Sequence, residues 1–322
     1  MTEIPVWQPT ASRDVLKSRA QQLAYVRGFF DARNVLEVET PVLGRFGVTD
    51  VNLDGIPAQV SAGCLNGGWL QTSPEYHMKR LLAAEIGSIY QVARVFRNGE
   101  RGRRHNPEFS MLEWYRVGLD DQALMAEVSD LVCGWLDCER PEQLHYRQAV
   151  IASAGFDPMT VSDYNLRQYC EQWLEPEQLA GLGRDGCLDL VMSFVVEPGL
   201  GLDRPVFITR YPASQAALAK VSLEGDHPVA HRFELYIGGL EICNGYWELT
   251  DAAEQRQRFA ADNGQRRATG KPEMALDEAF IGALEAGLPD CSGVALGLDR
   301  LLMLKVGAKS IEEVLAFPIE RA

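Results

Sequence analysis

Two periods of hydrophobic and polar residues organise this chain. The runs Ser88–Phe96 and Glu108–Val117 read as strands, and in the second Phe109, Met111, Glu113 and Tyr115 fall on one face. Val206–Thr209, His231–Ile237, Leu240–Leu249 and Gly293–Leu296 are predicted strands as well, and 48–70 reads as short strands joined by turns. Helical spacing begins after Ser12, a predicted N-cap, and runs to about Arg33 with Val15, Leu16, Leu23, Val26, Phe29 and Phe30 as its buried stripe. Helical patterns also fill 120–136 and much of 160–196, where Leu188–Val196 is apolar and Pro198-Gly199 is the stop. Asp251 with Glu254 predicts the cap of a further helix to about Arg267. Strands and helices do not alternate one for one. The expected fold class is therefore α+β, an antiparallel sheet flanked by helices, in a single domain over 1–322.

Composition narrows the classes. The 322 residues suffice for a full core, and there is no long apolar run and no basic-plus-apolar leader. A cytoplasmic protein without a membrane partner is expected. The seven cysteines are scattered without a C-x-x-C pair, which argues against zinc and against a disulfide framework. A formal net charge of −14 favours a basic or protein partner over a long RNA, since nucleic-acid affinity draws on lysine and arginine.

Candidate chemistry concentrates between Ile89 and Tyr115. The loop joining the two strands carries Arg97, Glu100, Arg101, Arg103, Arg104, His105 and Asn106. Guanidinium groups held by a sheet grip phosphate oxygens bidentately, so the loop suits a polyphosphate. The face with Glu113 and Tyr115 mixes a carboxylate and a phenol with apolar groups, which suits a pocket wall better than core.

This segment resembles motif 2 of the class II aminoacyl-tRNA synthetases, the lysine enzymes in particular. Leu36-Glu37-Val38-Glu39-Thr40-Pro41 reads like motif 1, and Ser73-Pro74-Glu75-Tyr76 through Lys79-Arg80-Leu81 resembles the lysine enzymes' A-P-E-L-Y-x-K-R-L segment. Arg232 through Leu235 and Glu241 through Leu249 are similar to their substrate strand, and Gly293 through Arg300 to motif 3. The motifs keep their order across nearly the whole chain. The resemblance implies activation of an amino acid by ATP with Mg²⁺, and a homodimer built through motif 1.

By the same resemblance Arg97 and Arg300 are the catalytic cations, Arg97 bridging the α-phosphate and the substrate carboxylate. Asn98, Gly99, Glu100, His105, Asn106, Ile242 and Gly297 line the nucleotide, with Phe109 and Arg300 enclosing adenine. Glu234 and Glu241 match the metal ligands, in keeping with magnesium's preference for carboxylates beside phosphates. Ser73, Pro74, Glu75, Glu113, Tyr115, Asn244, Tyr246, Glu248 and Ala295 fall at amino-acid-binding positions. Glu75 is expected at the α-amino group, and Glu248 with Tyr115 at the side-chain ammonium. Taken singly, Phe109 reads as core, Arg97 as a surface arginine and the glutamates as solvated strand positions. The shared motifs assign the roles.

Three departures matter. Motif 2 here is Phe96-Arg97-Asn98-Gly99, with Glu100 one place late; Ala295 replaces a glycine and Ser73 an alanine. These changes, and a chain that starts almost at motif 1 without the anticodon-binding barrel, resemble the truncated lysyl-tRNA synthetase paralogues that modify elongation factor P. Members attach (R)-β-lysine to a lysine side chain of that factor, so (R)-β-lysine or lysine is the expected substrate and tRNA is not an expected partner. The alternatives are a minimal lysyl-tRNA synthetase and a catalytically silent regulatory paralogue, and retention of Arg97, His105 and Arg300 speaks against the latter. Residues 61–68 and 100–105 are candidate acceptor-docking loops.

Overall fold

The computed structural model describes residues 7–62 and 65–322. Its internal contacts divide the chain into two compact units that interleave in sequence: Met1–Leu119 with Asp130–Asp137 and Thr250–Ala322, and Asp120–Ser129 with Cys138–Leu249. Mixed, mainly antiparallel strand pairing with attached helices makes the fold α+β.

In the first unit the strands run in the order Leu36–Glu37, Ile89–Phe96, Glu108–Val117, Cys291–Gly297, the first pair parallel and the others antiparallel. Ser12 caps the helix Arg13–Asp31, its hydroxyl accepting from Val15 N. Phe30 from that helix stacks on Tyr90 at 4.3 Å and meets the edge of Trp114 at 5.4 Å, which docks the helix on the sheet. The buried stripe differs from the expected one: Leu16 is exposed and Gln22 is fully buried, its amide donating to Leu298 O at 3.0 Å. A smaller antiparallel sheet joins Leu43–Gly44, Leu65–Leu70 and Ile56–Ala62. Of the glycine-rich run 61–68, Gly63 and Cys64 lie outside the described residues.

In the second unit Leu240–Trp247, His227–Ile237, Val206–Pro212 and Glu142–His145 follow one another, the last pair parallel, with Val221–Glu224 also on His227–Ile237. Gly238 and Gly239 both adopt positive φ (60° and 67°), the conformation a two-residue hairpin turn demands. The helical patterns over much of 160–196 are the helices Asp163–Cys170, Pro176–Ala180 and Arg184–Val191, the last prolonged to Val196. Gly181 ends one helix and Gly183 caps the next. Leu188, Val191 and Val196 are buried in the core as the apolar run predicts. Asp251 caps Ala252–Ala268 in the first unit, accepting from Glu254 N. The six described cysteines are free thiols, and among the described residues no helix is long and apolar enough to cross a membrane.

Candidate active site

The arginine-rich loop is shaped by the strands that bracket it. Ile89–Phe96 and Glu108–Val117 pair without a break from Ile89↔Tyr115 to Phe96↔Glu108, and Arg97 N donates to Pro107 O at 2.9 Å to close the base. Gly102 and His105 exchange backbone hydrogen bonds at its tip, at 3.1 and 3.2 Å. Gly99 takes φ +78°, and Glu100 beyond it turns back to Arg97 at 3.7 Å. The displaced motif 2 glutamate is therefore an ion-pair partner of the loop's first arginine.

Arg97 lies over the Phe109 ring, its guanidinium carbon 5.1 Å from the centroid. Its Nε is buried and has no hydrogen-bond partner among the described residues. An unmet buried donor costs about 1–3 kcal/mol, relieved when an anion arrives. This is the feature that fits a triphosphate. Arg300, from the helix Leu298–Val306 that Gly297 opens, places Nη2 2.7 Å from His105 Nε2. A guanidinium only donates, so His105 Nε2 accepts and the imidazole is neutral. Desolvation of the ring, then the Arg300 charge, lowers the His105 pKa although the residue keeps exposed surface. Asn106 is committed elsewhere. Its amide donates to Glu108 O at 2.6 Å and its Oδ1 accepts from Ile319 N at 3.1 Å, so it ties the loop to the C-terminal segment.

The amino-acid positions of this unit converge on one carboxylate. Ser73 Oγ accepts from Glu75 N at 3.0 Å and donates to Glu113 Oε2 at 2.8 Å. Tyr115 donates to Glu113 Oε1 at 2.7 Å. Gln91 and Ala295 stand opposite Glu113 on the flanking strands. Glu113 is 2 % exposed, and burial, then the charge of Glu75, pushes its pKa up to about 7 against the pull of the two hydroxyls and of Lys79. Pro74 precedes the helix Glu75–Ala83, whose buried Lys79 holds Glu75 Oε1 at 2.6 Å.

The second unit carries the remaining positions. Glu234 is buried, and its Oε2 accepts from Tyr211 at 2.5 Å and Tyr236 at 2.6 Å while Oε1 accepts from Arg232. Burial raises its pKa, but Arg232 and the two phenols outweigh that and hold it below the usual range. Both oxygens of Glu234 are thus engaged by protein donors. Glu241 lies past a bulge, opposite Tyr236, and is only partly buried. Asn244 pairs across from Glu234 and Tyr246 from Arg232, and Asn244 Oδ1 is buried with no hydrogen-bond partner among the described residues. Gly245 between them is forced by packing, since a Cβ there would come within 2.3 Å of the Phe233 ring. Ile242 is buried, as is Glu248.

Sequence reading missed two supports. Asp299, 1 % exposed, accepts from Ser110 N at 2.7 Å and from Arg19, which fixes the start of the helix that bears Arg300. Lys79 is the second. Their signals were an aspartate in a helix's first turn and a lysine four residues after a glutamate.

Residues 6–321 match the family model described as tRNA synthetases class II (D, K and N), and the chain belongs to that family. Within the wider set of relatives it is 51 % identical to the elongation factor P–(R)-β-lysine ligase of Proteus mirabilis, with both chains covered in full. The proteins of the same name in Photorhabdus laumondii and Pasteurella multocida are 50 % and 49 % identical, again over the whole of each chain.

Proposed function

We propose that this chain is an ATP-dependent ligase that activates (R)-β-lysine, or lysine, and transfers it to a lysine side chain of elongation factor P. The buried Glu113 carboxylate carries the reading: it is held by two hydroxyls, lies beside Glu75, and calls for a cation. An amino acid with a second ammonium group supplies one. The relatives' shared name supports the substrate and the acceptor.

Each unit carries its own set of candidate groups. In the first, Arg97 receives the α-phosphate on its unmet Nε as the substrate carboxylate attacks phosphorus and pyrophosphate leaves. Preorganised positive charge stabilises the crowding of two anions in that transition state. Phe109 and Arg300 enclose the adenine, with His105 neutral beside Arg300; Asn98, Gly99 and Gly297 offer backbone groups. The acceptor amine then attacks the acyl carbon, AMP departs, and an amide forms. In the second unit Asn244, Tyr246 and Glu248 bind the amino acid, and Ile242 lies along the nucleotide. Mg²⁺ would neutralise phosphate charge, held by Glu241, with Glu234 bracing Arg232 nearby.

A cytoplasmic homodimer completes the proposal. Leu36, Val42 and Leu43, which are exposed around the motif 1 segment, support a second copy docking there. Intact-mass analysis tests the reading: the chain is incubated with Mg-ATP, (R)-β-lysine or lysine, elongation factor P and lysine tRNA. A gain of one lysyl unit on the factor with uncharged tRNA is expected. Charged tRNA with unmodified factor would instead make this a minimal synthetase.

A further inference from the structure

Lys79 is one of the largest fully buried side chains in the protein, and the reaction as derived gives it nothing to do. It lies one turn after Glu75 in the helix Glu75–Ala83, with its ammonium 2.6 Å from Glu75 Oε1. An exposed glutamate–lysine pair at this spacing contributes little, and a buried lysine gives up its hydration. For helix stability alone, a methionine of similar length would serve as well.

Charge is what methionine lacks. Glu75 and Glu113 bring two negative charges to this cluster. Ser73 and Tyr115, which donate to Glu113, are neutral, as are Gln91 and Ala295 opposite it. Lys79 acts on both carboxylates, through a direct ion pair with Glu75 and through its field on Glu113. Among these groups, two carboxylates and one ammonium leave a single net negative charge.

We propose that Lys79 sets the charge of the amino-acid subsite, cancelling one of its two carboxylates so that a single substrate ammonium neutralises the rest. The assignment rests on reading this cluster as the ammonium subsite. It selects a substrate that presents one ammonium group here and disfavours one that presents none. Glu113, which titrates near pH 7 in the empty site, releases its proton when that ammonium enters, and without Lys79 it would keep the proton to higher pH. Lys79 thus acts through Glu113 as a positioning residue.

The test compares wild type with Lys79→Met and Lys79→Gln in amino-acid-dependent ATP–pyrophosphate exchange, from about pH 6 to about pH 8.5. The expected result is a KM for the amino acid raised about tenfold at pH 7, with the gap closing toward the alkaline end. kcat and the KM for ATP should stay within about twofold. A loss of equal size at every pH, or no loss, overturns the assignment, because a merely structural lysine gives one of those patterns. Calorimetric titration of the amino acid in buffers of different ionisation enthalpy gives a count that does not depend on turnover. At pH 7 the variants should release more protons on binding than wild type; equal counts overturn the proposal. Thermal melts select whichever variant is folded. A wild-type protein that neither exchanges nor binds the amino acid would overturn the reading of the subsite itself.

Discussion

Ser73 donates its hydroxyl to Glu113 Oε2 at 2.8 Å, and the methyl of Ala295 faces the same residue from the adjoining strand. Two of the three positions where this chain departs from the tRNA-charging lysine enzymes therefore bear on one buried carboxylate. A hydroxyl fixes the angle of the carboxylate, and a methyl fills space beside it.

Those contacts make opposite predictions for two substitutions. Ser73→Ala removes a hydrogen bond to a charged group and should raise the KM for the amino acid about ten- to a hundredfold, since such a bond contributes about 1.5–3 kcal/mol. Ala295→Gly removes only bulk and should relax discrimination between amino acids that differ in backbone by about 1–3 kcal/mol. Exchange kinetics with lysine and (R)-β-lysine side by side measure both, and an unchanged ratio for Ala295→Gly would leave the methyl without a role in selection.

Glu113 also carries a stability signature. Its folded pKa of about 7 lies above its ordinary value, so the folded state binds the extra proton. Stability is unaffected below the ordinary carboxylate range, falls as pH rises toward 7, and stays reduced above it. Glu113→Gln should therefore melt higher than wild type at pH 8, by an amount on the order of 2–3 kcal/mol, and match it near pH 4. Denaturant unfolding at the two pH values checks this; exchange activity of the same variant should be lost.

Arg97 is predicted to act on the transition state. Arg97→Met keeps the stack on Phe109 and removes the charge, and adenylate formation should fall about 10²–10³-fold with little change in fold stability. Pre-steady-state exchange separates this from weaker ATP binding, which would appear in KM alone.

Glu234 and Glu241 should behave differently although both match metal-ligand positions. Glu234→Gln strips a partly buried arginine of its buried counter-charge and should destabilise the protein by about 3 kcal/mol at pH 7. The native Glu234 pKa is depressed, so the contribution is present at neutral pH and lost as acid protonates it; the difference should shrink below about pH 4. Glu241→Gln should leave the melt unchanged and raise the Mg²⁺ concentration needed for half-maximal exchange. A Mg²⁺ midpoint moved equally by both variants would argue that Glu234 also touches the ion.

Much was legible in the sequence because it is local. Alternation exposed the paired strands around the arginine loop, and short polar residues before helical spacing marked the caps at Ser12 and Asp251. Motif spacing brought Ser73, Glu75, Glu113 and Tyr115 into one candidate list. Periodicity and capping act within a turn or a strand, so they survive in one dimension. The helical patterns over much of 160–196 were legible for the same reason, although the breaks at Gly181 and Gly183 were placed only by the structure.

Which polar group meets which was decided by the tertiary fold. Asn106 carries a motif signature for nucleotide contact, yet packing of the C-terminal segment gives its carbonyl to Ile319. Glu234 carries a metal-ligand signature, and only the fold brings Tyr211, on a neighbouring strand, to donate to its carboxylate. Lys79 enters the sequence only as part of a motif segment, and its burial against Glu75 is what makes its charge matter. Sequence determines the backbone a segment prefers and the groups it carries. Burial and partner, which together set the strength of a hydrogen bond and the protonation of a carboxylate, exist only once distant segments have packed.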